Sequence, residues 1–119
     1  MTKQGLTVTL PAEGSEHPVL RVAGDLDFHT SPRLREALES VTFAAGGGVV
    51  LDLSGLAYCD STGVTVLVAG YRRAQAAESR ILFAGLNPDL LQMFRILGLD
   101  QAFSFYPDPD EAVEALRRP

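Results

Sequence analysis

Three things are scarce in this 119-residue chain: cysteine, basic side chains and long apolar runs. The single cysteine, Cys59, cannot form a disulfide within the chain, and a lone thiol among apolar neighbours is typical of a reducing compartment, so we expect a cytoplasmic protein. Lys and Arg number 10 against 15 Asp and Glu, and the formal charge of −5 argues against a direct nucleic-acid partner. No run approaches the roughly 20 apolar residues of a membrane-spanning helix, so we expect no membrane span.

The usual catalytic and metal-binding patterns are also missing. There is no G-x-x-x-x-G-K-[ST] phosphate loop, and the glycines at 46–48 precede an apolar run rather than opening a helix. There is no G-x-S-x-G nucleophile motif, and Cys59 has no metal-ligand spacing around it. The segment Asp25-Leu26-Asp27 resembles a phosphatase D-x-D loop, but His29 stands where Thr or Val is expected. We therefore expect a protein that is not an enzyme and has neither a metal nor a cofactor of its own.

What remains is the pattern of a small globular domain, and the length fits one domain over residues 1–119. Period-2 alternation and short apolar runs predict strands at 6–10, 19–23, 49–53, 80–84 and 103–106. Helical spacing and capping residues predict helices from about 32 to 41, 62 to 77, 88 to 97 and 109 to 118. This order predicts an α/β fold, in which a mixed sheet of four to five strands, with an antiparallel hairpin at one side, packs with about four helices.

Sites in such sheets usually lie on the loops that leave the carboxyl ends of strands, here 24–30, 54–63 and 85–87. Within the second loop, Asp60-Ser61-Thr62-Gly63 leads into an apolar helix, so we expect Ser61 at the helix N-cap or in its first turn. Two interpretations are open at this point. Asp60, Ser61 or Thr62 could simply cap the helix, or the hydroxyl could also be a site of modification.

A phosphate on Ser61 is compatible with the fold, because a helix amino terminus favours an anion by about 0.3–1 kcal/mol. The same phosphate adds about −1.5 to −2 charges to the surface. A partner docked there would be repelled, the more so because Asp25, Asp27 and Asp60 are expected nearby. The sequence therefore permits a switch that acts on binding and leaves folding intact.

Several segments, taken together, resemble the STAS domain of bacterial anti-sigma factor antagonists. They cover nearly the whole chain: Gly24-Asp25-Leu26-Asp27 before a Thr/Ser-led helix, the apolar run and serine at 49–54, Asp60-Ser61-Thr62-Gly63 before an aliphatic helix, and Asn87-Pro88 with the segment 93–99. The resemblance implies the STAS fold and a regulator that works by partner switching. In this family the unphosphorylated antagonist binds an anti-sigma factor that is also a serine kinase, which frees a sigma factor; a PP2C-type phosphatase reverses the phosphorylation.

The resemblance also assigns roles to residues. Ser61 corresponds to the family's phosphoacceptor, and Thr62 stands where many members have a second serine, so Thr62 is the alternative acceptor. Asp27 matches a position beside the serine that helps to contact the kinase. Asp25, Asp60, Thr62 and Gly63 complete the expected partner-binding set. ATP would belong to the partner, since no phosphate loop is present in this chain.

Two other functions are open. STAS domains also serve in stressosome scaffolds, in the cytoplasmic parts of anion transporters and as small subunits of lipid-transport ATPases, and some of those lack the serine. The intact Asp60-Ser61 pair favours the antagonist. A Ser61-dependent hydrolase would need a base near the serine, and His29 is the candidate for that role.

Overall fold

A computed structural model describes residues 5–118, so residues 1–4 and 119 of the predicted 1–119 domain lie outside the described residues. The described part forms β1 (Leu6–Thr9), β2 (Val19–Leu26), α1 (Ser31–Ser40), β3 (Gly48–Cys59), α2 (Ser61–Ala76), β4 (Arg80–Ala84), α3 (Pro88–Ile96), β5 (Ser104–Tyr106) and α4 (Pro109–Arg117). A single 3-10 turn, Leu99–Gln101, joins α3 to β5. The predicted α/β fold, with a mixed sheet and four helices, is confirmed.

The five strands lie in the sheet in chain order, from β1 to β5. β1 is antiparallel to β2, as the predicted hairpin requires, and the pairs β2–β3, β3–β4 and β4–β5 are parallel. The carboxyl ends of β2 to β5 therefore lie on one edge of the sheet, which we call the carboxyl edge. The pairing of β3 with β4 stops at Asp52 and Ala84, whereas its pairing with β2 continues to Cys59 and Leu26. The ends of β2 and β3 thus project beyond the rest of the sheet.

These projecting ends are the main departure from the sequence-based prediction, which placed loops at 24–30 and 54–63. Residues 27–30 form a turn, as the prediction has it. Residues 24–26 and 54–59 are instead extended because they pair with each other, with Ala23 opposite Gly55 and Asp25 opposite Tyr58. Two register shifts in this stretch accommodate the irregular spacing of the chain. At one of them the strands approach so closely that a Cβ on Gly55 would lie 2.8 Å from the Cβ of Ala23. Glycine and polar residues here form a paired strand where they would otherwise indicate a turn.

Helices cover both faces of the sheet and bury two apolar clusters. On one face α1, α2 and α3 pack over the larger cluster, in which Leu51, Phe83 and Phe94 are fully buried. On the other face α4 packs over the smaller one, which contains Val50 and Leu82. Within residues 5–118, no helix is both long enough and apolar enough to cross a membrane.

Candidate functional site

Ser61 is the first residue of α2 and has an exposed side chain. The residue before it, Asp60, is the N-cap: its backbone is extended (φ −97°, ψ −177°), and its Oδ1 accepts a hydrogen bond of 2.9 Å from the amide of Gly63. Of the three capping residues that the sequence left open, Asp60 is therefore the one that acts. The hydroxyl of Ser61 takes no part in the cap and is accessible at the carboxyl edge.

Asp60 also joins two loops of the site. Its second carboxylate oxygen, Oδ2, accepts a hydrogen bond of 3.1 Å from the amide of Phe28, in the connection between β2 and α1. Its own amide donates to the carbonyl of Leu26 at 3.1 Å. One residue thus fixes the start of α2, the end of β2 and the β2–α1 connection relative to one another.

The β2–α1 connection is organised by Asp27, which is only 3% exposed. Its Oδ1 accepts from the amides of His29 (2.9 Å) and Thr30 (3.0 Å), while its own amide donates to Thr30 Oγ1 at 2.9 Å. The Thr30 hydroxyl in turn lies 2.7 Å from the carbonyl of Asp25 and can donate to it. Asp27 therefore shapes the loop from within, and its expected contact with the kinase stays a prediction.

Gly63 is also among the expected partner-binding residues, and the structure shows how it packs within the fold. The residue is buried, and a Cβ placed on it would lie 2.7 Å from Leu26 Cγ and 3.0 Å from Cys59 Sγ. A hydrogen at this position is what lets the first turn of α2 pack against the ends of both strands. The expected partner-binding residues that do reach the surface are Asp25, Asp60 and Thr62, each partly exposed.

Cys59 ends β3 beside this packing contact and is buried. Burial, with a smaller contribution from the negative charge of Asp60, raises the pKa of its thiol to about 12. The thiol is therefore protonated at neutral pH and behaves as a small apolar side chain. It belongs to the packing beneath the site rather than to its chemistry.

Sequence reasoning missed two features near the carboxyl edge. The first is Phe28, a residue that is 68% exposed between Asp27 and His29. A large apolar residue in an otherwise polar loop is the signal that could have found it. The second is a buried carboxylate in the middle of β3, Asp52, which pairs with Arg21 of β2 through a 3.0 Å contact between Oδ2 and Nε. Asp52 Oδ1 accepts from the amide of Ser54 at 3.0 Å and from its hydroxyl.

The candidate base of a hydrolase, His29, lies in the same loop as Phe28. Its ring packs edge-on against that of Phe28, with 5.6 Å between the centroids. Among residues 5–118, no hydrogen bond joins His29 to the Ser61 hydroxyl, and no group of three or more His, Cys, Asp or Glu side chains is arranged to hold a metal ion. The part of the chain that the structure describes thus shows no serine–base hydrogen bond of the kind found in serine hydrolases.

Comparison with known proteins gives consistent results. The family model described as "Mlab, STAS domain" matches residues 10–107. An anti-sigma-B factor antagonist of Listeria monocytogenes is 31% identical over 94 residues, which are 79% of this chain and 82% of that protein.

Solved structures agree. An anti-sigma factor antagonist from Mycobacterium paratuberculosis superimposes with a TM-score of 0.84 and 27% identity over 96% of each chain. The phosphorylated form of the Bacillus cell fate determinant SpoIIAA shares the fold, with a TM-score of 0.69 and 21% identity over 93% of this chain and 100% of that one. The family resemblance read from the motifs is therefore confirmed, and this chain belongs to the STAS-domain family of anti-sigma factor antagonists.

Proposed function

We propose that this protein regulates transcription by partner switching, as an anti-sigma factor antagonist. In its unphosphorylated form it binds an anti-sigma factor that is also a serine kinase, and the sigma factor is released. Phosphorylation of Ser61 by that kinase ends the complex, and a PP2C-type phosphatase restores the binding form. The observation that carries the proposal is the exposed hydroxyl of Ser61 at the first position of α2, where Asp60 already provides the cap.

The electrostatics of this position support a switch of binding rather than of folding. The amides of the first turn and the positive end of the helix dipole favour a phosphate by about 0.3–1 kcal/mol. The carboxylate of Asp60, the residue before Ser61, partly opposes that gain because it is partly exposed beside the same helix start. For a docked partner the balance is different, since the phosphate adds bulk and about −1.5 to −2 charges at the point where the unmodified hydroxyl would be covered.

The roles of this chain and of the kinase follow from the binding sites that each protein has. This chain has no phosphate loop, so ATP would be bound by the kinase. The chain would be a substrate and a ligand without catalytic activity of its own, and the packing of the His29 ring against Phe28 rather than against Ser61 supports that assignment. Because a regulator of this kind acts on the inhibitor of a sigma factor, it needs no basic surface for nucleic acid. It would act in the cytoplasm, where sigma factors meet RNA polymerase.

The phosphorylation site can be tested directly. The protein is incubated with ATP and the purified anti-sigma factor kinase of the same organism, and the modified residue is located by mass spectrometry. We expect one phosphate, on Ser61, since Thr62 is partly buried. Thr62→Ala serves as the matched control and should still be modified, whereas Ser61→Ala should not. A phosphate on Thr62, or an unmodified wild type, would contradict the proposal and favour a scaffold or transport role.

A further inference from the structure

The ring of Phe28 is an unusual feature of the carboxyl edge. It is 68% exposed, although Asp27 and the following residues hold its backbone in a fixed loop. The other large apolar side chains that are exposed in residues 5–118 are Leu10, Tyr58, Ile96 and Leu97. Phe28 differs from these four in that its amide is bonded to Asp60, the residue immediately before Ser61.

The loop presents this ring in a fixed position before any partner arrives. The amide of Phe28 donates to Asp60 Oδ2 at 3.1 Å, and the amides of the next two residues are held by Asp27 Oδ1. The ring of His29 packs edge-on against it. An aromatic side chain on an ordered loop loses little conformational entropy on binding, which is the property of residues that dominate interfaces.

The surroundings of the ring define what could cover it. The side chains of Asp60 and Asp25 are partly exposed on the same edge, and the whole chain carries a formal charge of −5. A complementary surface would therefore offer an apolar pocket for the ring with Arg or Lys at its rim. A cation there would be attracted both by the carboxylates and by the face of the ring.

We propose that Phe28 is a principal affinity-determining contact for the anti-sigma factor, and that it inserts into an apolar pocket with a basic rim beside the site that receives Ser61. The inference rests on the proposed function, because it names a residue of that same docking surface. It also links the ring to the switch: the residue that holds Phe28, Asp60, is the one next to the phosphorylated serine.

The test measures the dissociation constant of the purified anti-sigma factor of the same organism by calorimetry, for the full chain and four variants. Phe28→Ala should weaken binding at least about tenfold, as removal of a central aromatic contact does. Phe28→Leu, which keeps an apolar side chain, should recover part of that loss. The matched control is Leu10→Ala, since Leu10 is 56% exposed but follows β1 at the edge opposite the carboxyl edge; its effect should stay within about twofold.

The fourth variant, Ser61→Asp, separates this inference from the proposed function. If wild type binds, Ser61→Asp does not, and Phe28→Ala binds within twofold of wild type, the inference is wrong and the proposed function stands. The inference also fails if Leu10→Ala loses as much affinity as Phe28→Ala. If wild type does not bind at all, the proposed function is wrong and the inference falls with it. Circular dichroism of Phe28→Ala should match wild type, because the ring is exposed.

Discussion

At the first turn of α2, two neighbouring residues have separate roles: one caps the helix and the other presents a free hydroxyl. The carboxylate of Asp60 accepts hydrogen bonds from the amide of Gly63 and from the amide of Phe28 in the β2–α1 connection. Ser61 is exposed to solvent. If Ser61 were the cap, a phosphate on its oxygen would remove a structural hydrogen bond. With Asp60 in that position, modification can change the surface while the helix keeps its start.

This division predicts how substitutions of Ser61 behave. Ser61→Ala should change the free energy of unfolding by less than about 0.5 kcal/mol and should still bind the anti-sigma factor, because no cap is lost. Ser61→Asp should leave stability similarly unchanged but should weaken binding, because it puts a negative charge in the contact surface. Urea denaturation measures the first effect and calorimetry the second. A loss of 2 kcal/mol or so in Ser61→Ala would mean that the hydroxyl is structural.

Unlike Ser61→Ala, the substitution Asp60→Ala should lower the free energy of unfolding. It removes the cap of α2 and the acceptor of the Phe28 amide together. We expect a loss of about 1–2 kcal/mol in the free energy of unfolding, measured by the same urea titration. Asp60→Asn keeps an acceptor for the cap and should lose less. Equal stability of Asp60→Ala and wild type would contradict the assignment of the cap.

Cys59 gives a prediction that depends on pH. Because its folded pKa of about 12 lies above the ordinary 9.0, iodoacetamide should modify it far more slowly in the folded protein than in urea at about pH 8. The protonated thiol favours the folded state, so its contribution is complete below pH 9.0 and declines as the pH rises toward 12. Equal labelling rates in buffer and in urea would show that the thiol is accessible.

At the scale of elements, the tight approach of α2 to the strand ends depends on Gly63. Gly63→Ala should destabilise the fold by roughly 1–3 kcal/mol, because its Cβ would lie 2.7 Å from Leu26 Cγ in a packed core. Gly5→Ala is the control, since the nearest atom to a Cβ there, on the Arg33 side chain, is 3.9 Å away. Thermal denaturation of both variants checks this. A Gly63→Ala protein as stable as wild type would mean that α2 can shift without cost.

The end of α2 carries strain that a substitution should release. Glu78 has φ +56°, in the left-handed region, although it has a side chain. Glu78→Gly should raise the free energy of unfolding by up to about 1 kcal/mol, the relief of strain less the added freedom of the unfolded chain. Glu78→Ala removes the same carboxylate without relieving the backbone, so it should show no gain. A comparable gain in both variants would point to charge instead of backbone strain.

Helix starts were predictable from the sequence where the cap is local. Asn87 and Asp108 cap α3 and α4 through bonds of 2.9 Å to the amides of Leu90 and Glu111, and a proline follows each, as the sequence indicated. Thr30 stands at the N-cap of α1, but its hydroxyl makes no cap bond to that helix and accepts from the amide of Asp27 instead. The bonds between Asp27 and Thr30 also span three residues, so separation along the chain does not distinguish them from the caps of α3 and α4. What differs is the burial of Asp27, which depends on tertiary packing.

At the scale of the whole molecule, the buried carboxylate of Asp52, which pairs with the exposed Arg21, makes the free energy of unfolding depend on acid. Burial raises the pKa of Asp52, but the hydrogen bonds from Ser54 and the charge of Arg21 outweigh it and bring the pKa below the ordinary 3.8. Its contribution is therefore present above about pH 4 and is lost as the pH falls through the lowered pKa. Asp52→Asn should be less stable than wild type at neutral pH, and urea titrations should show the difference shrinking in acid. A constant difference would contradict this.

Some features of the candidate site were predictable from the sequence, and others were not. Motif and spacing identified Ser61 at a helix start with Asp60 beside it, because both are consecutive in the chain. They did not predict that Asp27 and Gly63 would be buried, since their burial follows from the packing of β2, β3 and α2. Phe28 was missed for the same reason: its position beside Asp60 depends on a hydrogen bond across 32 residues.

The central claim is that a phosphate on Ser61 ends binding without unfolding the protein. The most direct test compares the dissociation constant of the anti-sigma factor for the unphosphorylated protein and for the protein phosphorylated on Ser61, with circular dichroism of both. We predict tight binding before phosphorylation, binding at least about tenfold weaker after it, and the same spectrum in both forms. Equal affinities, or a phosphorylated protein that has lost its fold, would contradict the account.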